Sequence, residues 1–169
     1  MDGIDDEELR QLLPRLRRFA LGLTRDIDAA DDLVQSCLER GVSRRGSRRA
    51  SASLQAWLFS IMYRQFLDGR RRFALLRRWL DAEPREQDMA PSAEEVFVAR
   101  KSLAALDRLS VDQRAILLLV AVEGMSYQEV ADTLGIPVGT VMSRLSRARR
   151  ALRTLMDGKA SRPALRVAR

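Results

Sequence analysis

The stretch SYQEVADTLGIPVGTVMSRLSRARR, residues 126–150, has the pattern of two short helices joined by a glycine turn. Ser126 can cap the first helix with its hydroxyl, and Glu129 follows at the spacing that a capping box requires. Gly135 suits the left-handed residue that ends a helix, and Pro137 suits the first position of the next one. The stretch therefore predicts a helix-turn-helix, a motif that places its second helix against duplex DNA.

The side chains of this motif divide into an apolar set and an outward set. The apolar set, expected to hold the two helices together, is Val130, Ala131, Leu134, Ile136, Val141 and Leu145. The outward set on the second helix is Thr140, Met142, Ser143, Arg144, Ser146, Arg147 and Arg150. Hydroxyl and guanidinium groups suit phosphates and base edges. The alternatives are a solvated face for the arginines and local capping for Thr140.

Composition points to a polyanionic partner and away from catalysis. The chain has 30 Lys plus Arg against 23 Asp plus Glu, a net charge of +7, and most of its cations are arginine. It has no histidine and one cysteine, Cys37, which argues against an ordinary zinc site, a His-activated nucleophile and an internal disulfide. We expect no catalytic residue, no metal and no cofactor, and we interpret Cys37 as a small buried apolar residue.

The amino terminus carries no targeting signal that the sequence reveals. Residues 1–10 are acidic and lack the apolar core of a signal peptide. No apolar run approaches the length of a membrane span. We therefore expect a cytoplasmic protein without membrane insertion.

Three helices are predicted in the first half of the chain. Apolar residues at helical spacing indicate a first helix that ends near Thr24, and a second helix is predicted over Asp28–Arg40. Gly41–Ser53 is rich in Gly, Ser and Arg and is predicted to be a basic loop. The third helix, Leu54 to about Leu80, interleaves aromatic residues with arginine. That mixture suits unpaired nucleic acid, whose bases stack on rings while its backbone follows positive charge.

The second half begins after a polar, proline-containing stretch, DAEPREQDMAPSAEE, at Asp81–Glu95. We interpret it as a flexible interdomain linker. Ser110 and Gln113 offer a capping box for an apolar helix that ends at Gly124. The predicted fold is all-α, with one helical domain at 1–80, the linker at 81–93, a second domain at 94–157 and a basic tail at 158–169.

Three blocks in this order resemble an extracytoplasmic-function (ECF) sigma factor of the bacterial sigma-70 family. DAADDLVQSCLER (Asp28–Arg40) resembles the family's polymerase-binding helix, and SLQAWLFSIMYRQFLDGRRR (Ser53–Arg72) resembles its promoter-melting segment. GIPVGTVMSRLSRAR (Gly135–Arg149) resembles its minus-35 reader. The two predicted domains would then be a region 2-like and a region 4-like domain.

The resemblance implies a non-catalytic factor that binds core RNA polymerase and directs transcription initiation at chosen promoters. Its first domain would bind the β′ clamp helices, and its second would bind the β flap and minus-35 DNA. The resemblance also implies an anti-sigma partner and a role in a stress or environmental response.

The same resemblance implies roles for particular residues. Those implied for polymerase binding are Asp31, Asp32 and Gln35. Those implied for minus-10 DNA are Tyr63, Arg64, Arg70, Arg71 and Arg72. Those implied for minus-35 DNA are Thr140, Met142, Ser143, Arg144, Ser146 and Arg147. Met142 and Arg64 depart from the residues that many members carry at these positions.

Residue chemistry leaves other interpretations open. The acidic residues of the second helix also suit the first turn and outer face of any helix. Trp57 and Phe59 are better candidates for the core than for base stacking. At the level of the whole protein, the alternatives are a dimeric helix-turn-helix repressor or activator and an adaptor that binds only proteins. Neither explains why an acidic helix, an aromatic and arginine-rich helix and a linker occur together.

Overall fold

The structure is a computed structural model that describes residues 6–44, 46, 53–79 and 105–157. The regular elements in these ranges are helical. They are α1 Asp6–Thr24, α2 Ile27–Ser43, α3 Leu54–Trp79, α4 Val111–Leu117, α5 Tyr127–Leu134 and α6 Val138–Asp157. A π-helical turn, Leu118–Val122, continues α4.

The front unit consists of α1, α2 and α3, which pack on one another. Its largest fully buried side chains are Leu16, Phe19, Leu23, Leu54, Leu58, Phe59 and Met62. The rings of Phe19 and Phe59 meet edge to face, with centroids 5.0 Å apart. The predicted end of the first helix at Thr24 and the predicted burial of Phe59 and Cys37 are confirmed.

Helix α2 is longer at both ends than its pattern predicts. Asp26 caps its start, where the carboxylate accepts the Ala29 amide at 2.7 Å. At the other end the helix runs on to Ser43, through the glycine that the sequence places in a loop. Gly41 is buried there, and a Cβ at this position would lie 2.9 Å from a methyl carbon of Leu58. A close approach of α2 to α3 therefore explains this glycine.

The rear unit consists of α4, α5 and α6, and its local signals are confirmed. Both capping boxes form, at Ser110 with Gln113 and at Ser126 with Glu129. Gly135 ends α5 in the left-handed conformation, with φ of 67°. The apolar set of the motif is buried or half-buried as predicted.

Two details of the rear unit differ from prediction. The apolar helix closes with a π-helical turn at Val122, where the Glu123 amide donates to the Leu118 carbonyl at 2.9 Å, so the helix ends before Gly124. Pro137 lies just before α6, and its carbonyl accepts the amides of Thr140 and Val141.

The front and rear units pack against each other through a continuous apolar core. Helix α1 contacts α4 and the π-helical turn, and α3 contacts α5. The predicted linker and basic tail, and most of the predicted basic loop, lie outside the described residues. Among the helices of the described ranges, none has both the length and the apolarity needed to cross a bilayer.

Candidate nucleic-acid interface

The helix-turn-helix is formed by α5 and α6, joined through Gly135. Val130 on α5 and Val141 and Leu145 on α6 are almost fully buried and hold the two helices together. The Thr133 hydroxyl, on the inner side of α5, donates to the Ala56 carbonyl of α3 at 3.4 Å. Helix α5 therefore supports α6 from behind, and α6 lies on the outside of the pair.

The predicted reading face of α6 points outward for most of its length. Met142 is 54% exposed, and the exposed polar side chains on this face are Ser143, Ser146, Arg147 and Arg150. Thr140 is partly buried in the first turn, where its carbonyl accepts the Ser143 hydroxyl at 3.1 Å. The Arg147 Nε donates to the Ser143 carbonyl at 3.4 Å, and the residue is exposed.

Arg144 differs from its neighbours because it contacts another helix. Its Nη1 lies 3.4 Å from Oδ2 of Asp112, at the start of α4. The other oxygen of the same carboxylate accepts the Tyr63 hydroxyl of α3 at 3.0 Å. One carboxylate thus joins a residue predicted to bind minus-35 DNA to a residue predicted to bind minus-10 DNA.

The predicted minus-10 residues divide into one buried side chain and four exposed ones. Tyr63 is 5% exposed, and burial together with the Asp112 carboxylate raises its pKa above the ordinary tyrosine value. In this conformation its ring is covered and does not offer a stacking surface. The exposed residues are Arg64, Arg70, Arg71 and Arg72.

These arginines line the solvent side of α3. The Arg70 guanidinium lies 5.9 Å from the centroid of the Phe66 ring, within the range of a cation–π contact. Arg71 lies 3.9 Å from Asp68, a weak surface pair. The result is a basic track with an aromatic ring at its side.

The predicted polymerase-binding residues lie together on the exposed face of α2. Asp31 pairs with Arg17 of α1 at 2.8 Å, and the Gln35 amide donates to Glu39 at 3.0 Å. Asp32 is exposed beside them. Helical spacing therefore gathers the three residues on one exposed face of α2.

Sequence reasoning missed a group of charged residues between the two units. The Glu123 side chain is only 1% exposed and accepts Arg15 and Arg18 of α1 at 2.7 to 2.9 Å. Arg25, after α1, pairs with Asp107 at 2.9 Å. The signal available in the sequence was a single acidic residue, Glu123, directly after a long apolar run. An acidic residue at that place is ordinarily interpreted as a solvated helix end.

Cys37 offers no reactive site in this fold. Its thiol is fully buried and donates to the Leu58 carbonyl at 3.4 Å, and burial raises its pKa to about 12. Within the described residues, no three His, Cys, Asp or Glu side chains lie close enough to hold a metal ion.

Comparison with known proteins identifies both halves of the chain. Residues 100–152 match the family described as sigma-70, region 4, and residues 9–63 match the sigma2 domain of PhyR. The chain is 36% identical over 156 residues to the ECF RNA polymerase sigma factor EcfG of Rhodopseudomonas palustris, covering 92% of this chain and 86% of that protein. It is 34% identical to SigE of Mycolicibacterium smegmatis, covering 94% of this chain and 64% of SigE.

Solved structures give the same answer. The sigma factor RpoE of Bartonella quintana, in complex with the anti-sigma factor NepR, matches with a TM-score of 0.76 and 33% identity over 89% of this chain and 95% of RpoE. CnrH, in complex with the cytosolic domain of CnrY, matches with a TM-score of 0.64 and 25% identity over 90% of this chain and 86% of CnrH. The protein is of the sigma-70 type. Within that class, it belongs to the ECF RNA polymerase sigma factors.

Proposed function

We propose that this ECF sigma factor binds core RNA polymerase, reads minus-35 DNA with α6 and engages the melted minus-10 strand with α3. Like its sigma-factor relatives, it would select promoters and catalyse nothing itself. The observation that carries the proposal is the outward face of α6, whose polar and basic side chains lie on the second helix of a capped helix-turn-helix.

Duplex reading follows from the rigidity of this pair. A helix that enters the major groove must present side chains in fixed register, and the buried contacts of α5 with α6 supply that register. Exposed Arg147 would bind a guanine edge or phosphates. Thr140, at the amino-terminal end of α6, would bind a phosphate, and exposed Met142 would contact a thymine methyl.

Strand binding requires a different surface, because unstacked bases lose several favourable contacts at once. Arg64 and Arg70–Arg72 form the basic track that would follow the phosphates. Tyr63 would add a stacking ring once its contact with Asp112 opens. The front unit would therefore complete its DNA site only in a conformation that separates α3 from α4.

The acidic face of α2 suits the proposed contact with core polymerase. Asp31, Asp32 and Gln35 present two carboxylates and an amide on a rigid helix. Their complementarity to a basic partner surface would speed the encounter and fix the register of binding. Reversing the charge with Asp32→Lys should weaken polymerase binding without unfolding the front unit, because Asp32 is exposed. The matched control is Asp132→Lys, at an exposed carboxylate on α5.

Regulation by an anti-sigma factor is part of the proposal. The RpoE chain that matches both units was solved in complex with the anti-sigma factor NepR, and CnrH was solved in complex with the cytosolic domain of CnrY. A comparable regulator for this chain would hold it away from core polymerase until a signal removes it, as in a stress or environmental response.

Run-off transcription with purified core polymerase tests the proposed function. Core enzyme plus this chain should initiate on fragments of the host genome, and core enzyme alone should not. Arg147→Ala should reduce initiation, whereas Arg153→Ala, an exposed arginine farther along α6, should leave it nearly unchanged. Tight binding of duplex DNA by the chain alone, with no initiation on any fragment, would favour the dimeric repressor or activator.

A further inference from the structure

We propose that the free protein is held in a closed, self-inhibited state by ion pairs between its two units, and that core polymerase binds the open state. The contacts that cross between the units are the ion pairs Arg15–Glu123, Arg18–Glu123 and Arg25–Asp107 and the hydrogen bond from Tyr63 to Asp112, and we call these residues the charged seam. The inference rests on the proposed function and adds a mode of regulation that needs no other protein.

Glu123 is the main contact of the seam. Arg15 Nε donates to one carboxylate oxygen at 2.7 Å, and Arg18 donates to the other through two nitrogens, at 2.8 and 2.9 Å. Arg15 also donates to the Glu123 carbonyl at 2.7 Å and to Gln55 of α3 at 2.8 Å. This network ties the end of the π-helical turn to α1 and α3 at once.

Burial makes Glu123 sensitive to substitution. Its side chain is 1% exposed, whereas those of Arg15 and Arg18 are 33% and 49% exposed. A carboxylate buried so deeply is stabilised only while its cations remain in place. These ion pairs exist only while the units are in contact, so they act on the closed state alone.

Asp112 makes the closed state inhibitory rather than merely compact. Its carboxylate accepts Tyr63 and contacts Arg144, so both predicted DNA-binding side chains are engaged with the protein itself. Tyr63 cannot stack while its contact with Asp112 across the units persists, whereas the Arg144 contact lies within the rear unit and does not depend on closure. Promoter engagement and the Asp112 contacts therefore compete for the same atoms.

Close packing reinforces the charged contacts. Gly22 of α1 faces Leu118 of the π-helical turn, and a Cβ at Gly22 would collide with the Leu118 side chain. The Arg25–Asp107 pair closes the seam at the end of α1. A side chain at Gly22 should therefore wedge the units apart without removing a charge.

The match to RpoE in complex with NepR extends over both units of this chain. An anti-sigma factor acting on this protein would then select an arrangement that the chain already forms by its own contacts. A competent state that is only partly populated lowers the apparent affinity for polymerase in proportion. Weakening the seam should therefore strengthen polymerase binding.

Distance measurements between the units test the proposal on the full chain. Cysteines at Asp28→Cys on α2 and Arg153→Cys on α6 lie on exposed positions of the two units, and buried Cys37 should remain unlabelled. Fluorescence transfer in the free protein should show mainly the short distance. Glu123→Gln should raise the ratio of open to closed protein by about 10-fold, and Asp112→Asn by about twofold to fivefold.

Controls separate opening from unfolding. Circular dichroism should show that the helix content of both variants is kept. Asp112→Asn, at an exposed carboxylate, and the uncharged wedge Gly22→Val provide tests if Glu123→Gln fails to fold. Asp132→Asn, an exposed change on α5 away from the seam, should leave the distances unchanged.

Two results would overturn the proposal. One is a free wild-type chain that already shows mainly the long distance; the other is a set of folded seam variants with the wild-type distance distribution. A chain that opens as expected but never supports initiation with core polymerase would instead overturn the proposed function, so the two failures are distinguishable.

Discussion

The rear unit and the front unit differ in how far their candidate DNA-binding residues are exposed. On α6 the reading face is exposed, with Met142, Ser143 and Arg147 directed outward. On α3 the arginines are exposed, but the ring of Tyr63 is buried beneath Asp112. A duplex reader needs only a rigid exposed helix, whereas a strand binder also needs a surface that appears when the bases become available.

This difference indicates that the two units respond differently to the contact between them. The rear unit keeps its reading face in the closed arrangement, because the contact of Arg144 with Asp112 lies within that unit. In the same arrangement the front unit keeps its arginines exposed, but the ring of Tyr63 is buried. Substitutions that change one unit or the seam alone should therefore separate reading, strand binding and opening.

The largest effect is expected from Phe59→Ala, which empties the center of the front core. Phe59 is fully buried against Phe19, and such truncations cost about 3 to 5 kcal/mol. Trp57 on α3 packs against the core, so its fluorescence should report early urea unfolding of the front unit, while hydrogen exchange shows α6 protected to higher urea. Leu75→Ala, exposed on the same helix, should change stability by under about 0.5 kcal/mol. Equal shifts of the urea unfolding midpoint in both units would contradict this difference between them.

Reading by α6 is tested by comparing two arginines. Arg147→Ala should cost about 1 to 3 kcal/mol in promoter binding by the polymerase complex. Arg144→Ala should cost less, because Arg144 must give up its contact with Asp112 in the same unit before it can bind DNA. Binding titrations on matched promoter and non-promoter fragments measure both. A greater loss for Arg144→Ala would contradict competition between Asp112 and DNA.

The helix-turn-helix should tolerate a side chain poorly at Gly135 and well at Gly139. Gly135→Ala should destabilise the protein by about 1 to 2 kcal/mol, because φ is 67° there and no neighbour lies close enough to clash. Gly139→Ala, in the first turn of α6 with equal space, should stabilise by about 0.4 to 1 kcal/mol. Urea denaturation followed by circular dichroism measures whether each substitution raises or lowers the stability of the protein.

The smallest effect is expected from Tyr63→Phe, which keeps the ring and removes the hydroxyl. Loss of the bond to Asp112 should weaken the closed state by about 0.5 to 1.5 kcal/mol. Because closure raises the pKa of Tyr63, the wild-type closed state should lose stability as pH rises above about 10, and the variant should lose less. Distance measurements between the two units across this pH range check the sign. Identical pH dependence would assign the effect to other groups.

Most helices were predictable because their signals are local. Ser126 with Glu129 and Gly135 specify a cap and a stop within a few residues, and the structure contains both. The continuation of α2 through Gly41 was not predictable, since that glycine reflects the approach of Leu58 from another helix. Among candidate site residues, exposure of Arg147 follows from helical spacing, whereas burial of Tyr63 depends on Asp112 in the other unit.

The amino-acid sequence by itself determined the helix boundaries marked by caps and glycine, the apolar faces, the basic character and the order of blocks typical of an ECF sigma factor. Those properties depend on residues within one or two helical turns of each other, or on composition. Only the tertiary structure decided that Glu123 joins Arg15 and Arg18, and that Asp112 joins Tyr63 to Arg144. These contacts link residues far apart in the chain, and a charged side chain carries no local sign of the partner it will meet.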